Sequence, residues 1–332
     1  MNTDITFDKP FKTYEEQIEI LKSRKITISN PAFAKQVLSS LSYYTIINGY
    51  KNTFLSVPGS DDFVDGTTFD SLYTLHIIDS NLNSIILKYI LFVERYLKTR
   101  LSYLVSQNFG VYTDPHDISN TNPDDYLCRI NYRGRAKNNI LRSIKEVLTS
   151  PAINNSVAHY ANDKNHIPAW ILVTTIPFGL TIKWYSILQP DHKDMICEEF
   201  LPTEELTIDE KKEFMAKAFS LLREYRNNIA HGNRTFNVTN LPVLPKKALL
   251  ILSKGNITER EYNKGYWKND SFAVILLCFI LINDRYLLSN FLNDLEYALM
   301  PYKSVSINGK TIFETFKLPT DLFDRIKPLI EK

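Results

Sequence analysis

Arginine, asparagine and histidine stand close together in the string Arg226-Asn227-Asn228-Ile229-Ala230-His231. Those three types can cut RNA without a metal. Cleavage needs one group to move the 2′-hydroxyl proton and another to neutralise charge growing on the phosphorane. A histidine, with an unperturbed pKa of about 6.5, does the first. The guanidinium fork of an arginine does the second, and the amide of Asn227 can orient either. The same residues also have a plain structural reading. Arg226 would pair with a carboxylate, and His231 would cap carbonyls at a helix C-terminus. The Arg-x4-His spacing alone does not decide between the two.

The element that must position these groups is a helix. Met215, Ala218, Leu222, Tyr225 and Ile229 recur at alternating spacings of three and four, giving one apolar stripe. Arg226 falls beside that stripe, Asn227 and His231 share a face as an i, i+4 pair, and Gly232 supplies the stop. On a straight helix, positions five apart point about 140° away from each other. Arg226 and His231 therefore meet one phosphate only if the helix bends or ends there, or if a second copy contributes.

Other segments also read as helices. Thr13 and Glu16 form a capping box ahead of a helix over 14–24, and Asn30-Pro31 opens a second running to about Ile47. After the Asp65-Gly66 turn, residues 69–106 hold neither Gly nor Pro and form the longest candidate, as one helix or two in line. Residues 110–125 are a polar loop. Further helices are expected at about 151–161, 168–189, 207–231 and 270–299, and a short one from about Thr320. Asn308-Gly309, between SVSI and KTIF, signals a β-hairpin. The expected class is all-α: an N-terminal helical extension over 1–66, a helical core over 67–300, and a C-terminal hairpin and helix over 301–332.

Composition excludes several functions. The 332 residues are 44% hydrophobic and 23% charged with a net charge of +2, which fits a globular chain and neither a histone-like arm nor an acidic tail. Cys128, Cys197 and Cys278 are odd in number and far apart, so no disulfide framework or CxxC zinc site is expected. The N-terminus lacks a signal-peptide pattern, and the strongest apolar run, 272–282, is too short to span a bilayer. Neither GxGxxG nor GxxxxGK[ST] occurs. A cytoplasmic protein without membrane attachment, cofactor or metal is expected.

One segment inserted in the core is basic. Arg129, Arg133, Arg135, Lys137, Arg142 and Lys145 lie with Tyr126 and Tyr132 in a stretch without acids. Phosphate neutralisation with aromatic stacking suits RNA; a solvated face is the other reading. Tyr43, Tyr44, Tyr50 and Lys51 form a smaller cluster that suits core packing better. His76 reads as a satisfied core histidine, and Trp170 and Trp184, fourteen apart on one helix side, read as core.

The string RNNIAHG resembles the RNxxxH signature of HEPN domains, all-α modules found in many prokaryotic ribonucleases. The remainder resembles the Abi-like (AbiD/AbiF) abortive-infection family through KPFKTYEEQIEILKSRKITI, LSYYTIINGYKNTFL, DGTTFDSLYTLHIIDSNL, FVERYLKTRLSYLVSQNFG and IPAWILVTTIPFGLTIKWYSIL. These cover most of residues 9–235 in family order, and 236–332 match more loosely. The resemblance implies a HEPN-type helical bundle, with Arg226 and His231 as the catalytic pair and Asn227 in support. It also implies Glu94 as an acid orienting the arginine, although Glu94 equally suits an ion pair with Lys98. One departure is Thr174, where the family often has an acid after the tryptophan of its PxW block. The resemblance further implies a composite site in a homodimer, and an endoribonuclease toxin of antiphage defence regulated by a structured noncoding RNA. Two other readings are a non-catalytic RNA-binding HEPN protein and a HEPN antitoxin modified on a tyrosine. Asn233 stands where that tyrosine would be.

Overall fold

The computed structural model describes residues 8–57, 59–150, 154–234, 236 and 238–331. Along the chain come α1 (Tyr14–Ser23), α2 (Pro31–Leu41), a π-helical turn (Tyr44–Asn48), α3 (Gly49–Phe54) and α4 (Phe69–Phe109). There follow α5 (Lys137–Leu148), α6 (Asn155–Asp163), α7 (Ala169–Leu172), α8 (Phe178–Ser186), α9 (Pro190–Phe200) and α10 (Ile208–Ala230). Then come α11 (Lys246–Leu252), α12 (Glu259–Asn263), α13 (Ser271–Leu281), α14 (Arg285–Leu299), β1 (Ser306–Ile307), β2 (Lys310–Thr311), α15 (Ile312–Thr315) and α16 (Leu322–Ile326). The chain is mostly helical, with one small C-terminal sheet.

Its contacts divide at 84/85, 293/294 and 320/321. One compact unit holds the residues up to Ser84 with Asp294–Thr320; the other holds Ile85–Asn293 with Asp321–Lys332.

In the first unit α1 packs on α2, and Leu21, Leu38, Ile46, Ile47, Phe69 and Leu72 fill the core. The helix expected from Asn30 to Ile47 stops at Leu41. Ser42 takes a left-handed φ of 62°, and its Oγ accepts the Thr45 N–H at 3.3 Å. A serine that caps locally competes with helix continuation. Tyr50 is buried, and its hydroxyl donates to Asp79 Oδ2 at 2.7 Å and lies 3.1 Å from His76 Nδ1. The Asn308-Gly309 hairpin is present, with φ of 50° and 73° as a type I′ turn requires. Its strands are two residues each because Thr311, the last ladder residue paired with Ser306, is also the N-cap that starts α15, in a box with Glu314.

In the second unit α10 packs against α8, α9, α11 and α13. All of α13 is buried, as expected of a helix apolar on every side. Within α4, Ile86, Ile90, Val93, Leu97, Leu101 and Leu104 form one buried stripe, each side chain contributing about 1.5–3 kcal/mol. Two expected helices are divided. The 168–189 segment breaks into α7 and α8 at Pro177, the N-cap of α8, because the residue before a proline is pushed out of the α region. The 270–299 segment breaks at Ile282–Asp284, where Ile282 is extended and Asp284 Oδ1 accepts the Leu287 N–H. The helix expected near 151–161 is α6; residues 151–153 lie outside the described residues. No helix among the described residues is long and apolar enough to cross a membrane.

Candidate functional site

The helix carrying Arg226, Asn227 and His231 is fixed at both ends. At its start, Thr207 and Glu210 exchange capping-box hydrogen bonds, and Lys247 Nζ holds Glu210 at 2.6 Å. At its end, His231 is the C-cap residue and Gly232 takes φ +70°. The Gly232 N–H donates to Ile229 O at 2.9 Å and the Asn233 N–H to Asn228 O at 2.8 Å. That pair of bonds is a Schellman stop, which needs a left-handed residue after the cap. The stop satisfies the Asn228 and Ile229 carbonyls with backbone N–H groups rather than with the His231 side chain, which is exposed.

Met215, Ala218, Leu222 and Tyr225 are buried, as the stripe requires, and Ile229 is half-buried. Burial pushes the Tyr225 phenol well above its ordinary pKa, so this neighbour of Arg226 stays neutral. Arg226 and Asn227 are half-buried at the edge of the core.

Across from α10, α4 presents Glu94, only 6% exposed. Its Oε1 pairs with Lys98 Nζ at 2.8 Å, and its Oε2 stands 3.9 Å from Arg226 Nε. Both contacts expected of Glu94 are therefore present at once. Neither Glu94 Oε2 nor Arg226 Nε has a hydrogen-bond partner among the described residues. The carboxylate holds the guanidinium by charge at a separation beyond hydrogen bonding, so the contact does not consume the Nε donor. One buried acid between two bases leaves the cluster net positive, which suits an anion. Lys98 is the member that sequence reasoning did not place in the site; its i, i+4 spacing from Glu94 was the available signal.

The basic segment is sorted by the structure into two sets. Arg129, Arg133, Arg135 and Arg142 are exposed, and Lys137 is half-buried with Nζ donating to Tyr132 O at 3.1 Å. Tyr126, Tyr132 and Lys145 point inward and are not available to RNA, which corrects the expectation for those three. Tyr126 Oη donates to Ile167 O at 2.9 Å, and Tyr132 Oη to Tyr126 O at 3.0 Å. Burial drives both phenols well above their ordinary range. Lys145, fully buried, pairs with the equally buried Asp125 at 2.6 Å and donates to Asp117 O at 2.8 Å. The acid that turns Lys145 inward lies one residue before the segment begins.

Two other expectations resolve differently. Trp184 is buried, but Trp170 is 46% exposed, because the helix that would have placed both on one side is broken between them. Thr174, standing where the family often has an acid, donates to Ile171 O and accepts from Asn154 Nδ2. The cysteines are free and buried, and no group of three or more His, Cys, Asp or Glu among the described residues could hold a metal.

No curated protein and no solved structure matches the chain. The Abi-like protein family matches residues 36–237, more than half of its length, and the match takes in Glu94, Lys98, Arg226, Asn227 and His231. The chain is a member of the Abi-like protein family.

Proposed function

We propose that this protein is a HEPN-type endoribonuclease toxin that cuts RNA through its own side chains in abortive infection. The observation that carries the reading is the guanidinium of Arg226, held by the buried Glu94 carboxylate without a hydrogen bond, on a helix that ends at the exposed His231. Membership of the Abi-like family supports a part in abortive infection.

In the proposed reaction a ribose 2′-oxygen attacks the adjacent phosphorus and the P–O5′ bond breaks. His231 takes the 2′-proton, and a histidine in its acid form returns a proton to the departing 5′-oxygen. Arg226 neutralises the phosphorane oxygens, Glu94 positions Arg226, and Asn227 supports the substrate. The two proton transfers and the divergent directions of Arg226 and His231 on one helix favour a homodimer in which two copies of α10 form one site. The exposed cations Arg129, Arg133, Arg135 and Arg142 supply a surface for RNA, including a structured noncoding RNA that restrains the toxin.

The product ends test this reading. RNA incubated with protein freed of bound nucleic acid should acquire 2′,3′-cyclic phosphates, or the 3′-phosphates derived from them, and a 2′-deoxy residue at the cut position should block cleavage. Ends bearing 5′-phosphate would refute 2′-hydroxyl attack. Tight binding with no cleavage would instead favour the non-catalytic RNA-binding reading.

A further inference from the structure

Beyond Lys98, α4 continues as one wall of a groove of about 510 Å3, whose lining includes Thr99, Tyr103, Ser106, Gln107 and, from α7, Trp170. Two large aromatic rings are left in water here: Tyr103 is 69% and Trp170 is 46% exposed. Exposed aromatics on one groove are costly unless something covers them. Between them the groove carries polar groups. Ser106 Oγ is buried and has no hydrogen-bond partner among the described residues; Gln107 and Thr99 add an amide and a hydroxyl. An apolar side chain from a protein partner would leave Ser106 unsatisfied, whereas a nucleobase offers a flat face for the rings and an edge with donors and acceptors.

Charge favours the same occupant. Residues 85–109 of α4 carry Lys88, Arg95, Lys98 and Arg100; Glu94 pairs with Lys98 and Glu199 with Arg100, and Arg95 is exposed. Position favours it too. Ser106 lies about 12 Å along the helix axis from Lys98, a span of a few nucleotides at about 3.4 Å per stacked step.

We propose that this groove is a base-binding subsite for single-stranded RNA. One base stacks against Trp170 and Tyr103 and presents its edge to Ser106 and Gln107. The inference rests on RNA being the ligand of the neighbouring site but does not require that the RNA be cut.

The test uses the full chain and a short single-stranded oligonucleotide with 2′-O-methyl riboses, which resists cleavage by 2′-oxygen attack, followed by fluorescence anisotropy. Stacking on an aromatic platform makes Trp170→Ala and Tyr103→Ala bind about five- to a hundred-fold more weakly, with Trp170→Phe close to wild type. An abasic oligonucleotide of equal length should bind wild type and Trp170→Ala equally. Two results overturn the proposal: unchanged affinity in both alanine variants with native circular dichroism, or loss of self-association in sedimentation with oligonucleotide affinity intact. Trp170-dependent binding by a wild type that cuts no RNA would uphold the subsite while removing the ribonuclease reading.

Discussion

Glu94 on α4 and Arg226 on α10 face each other across the packed interior of one unit, carboxylate Oε2 to guanidinium Nε at 3.9 Å. The same carboxylate holds Lys98 at 2.8 Å. A buried acid shared by two cations fixes their positions without consuming the arginine's hydrogen bonds. Glu94→Gln keeps the shape and removes the charge. Cleavage should fall about ten- to a hundred-fold, as expected when a phosphate-binding group loses its placement. Folding should cost about 1–3 kcal/mol from the unsatisfied groups left behind. Steady-state kinetics with urea unfolding checks both; unchanged kcat/KM would leave Glu94 a structural ion pair only.

The turn after α10 gives a second expectation. Gly232 takes φ +70°, and an added Cβ there would meet nothing within 4 Å. Gly232→Ala should therefore cost only the left-handed backbone penalty, about 1–2 kcal/mol, whereas Gly232→Asn should be milder because asparagine tolerates that conformation. Cleavage should follow the same order, since the turn sets where His231 ends. Thermal melts and initial rates of the two variants give the comparison.

Lys145 and Arg133 belong to one basic stretch but should behave oppositely. Lys145→Met leaves the Asp125 carboxylate buried without its cation and should destabilise by about 3–5 kcal/mol. RNA affinity of the folded fraction should be preserved. Alanine at Arg129, Arg133, Arg135 and Arg142 together should leave stability near wild type. It should also flatten the slope of log affinity against log salt, by about 0.7 for each phosphate of single-stranded RNA that is no longer neutralised. An unchanged slope would remove the basic segment from the RNA surface.

Much of the fold was legible because its signals are local. The capping box at Thr13/Glu16, Gly232, and the Asn308-Gly309 turn each act within a few residues, and each is found where the sequence put it. Interruptions were harder. Ser42 and Pro177 break runs whose apolar content continues across the break. α9 was missed although Pro190 at its first position and Asp191 in its first turn are start signals. The site divides the same way. Arg226, Asn227 and His231 are one continuous string, but the approach of Glu94 to Arg226 joins residues far apart in sequence, and only family resemblance pointed to it. The inward turn of Lys145 depends on Asp125, and the exposure of Trp170 on a helix break.

Acid should release the C-terminal helix. Arg325 on α16 donates to Glu261 Oε1 at 2.8 Å and to Asn256 O at 2.8 Å. Burial alone would raise the Glu261 carboxyl. The hydrogen bonds from Arg325 and from the Thr258 cap outweigh it and lower the group to about 2. A depressed folded-state pKa stabilises the fold above the ordinary carboxylate range and loses that stabilisation as pH falls toward about 2. Hydrogen exchange of residues 322–329 should rise across that window. In Arg325→Met the protection should already be low at neutral pH and change less on acidification.

The central claim is that α10 cuts RNA, and the most direct measurement compares wild type and His231→Ala, each stripped of bound nucleic acid, on the same single-stranded RNA. The account predicts at least a hundred-fold slower cleavage in the variant, with oligonucleotide affinity and thermal stability near wild type. Equal cleavage rates for the two proteins would contradict it.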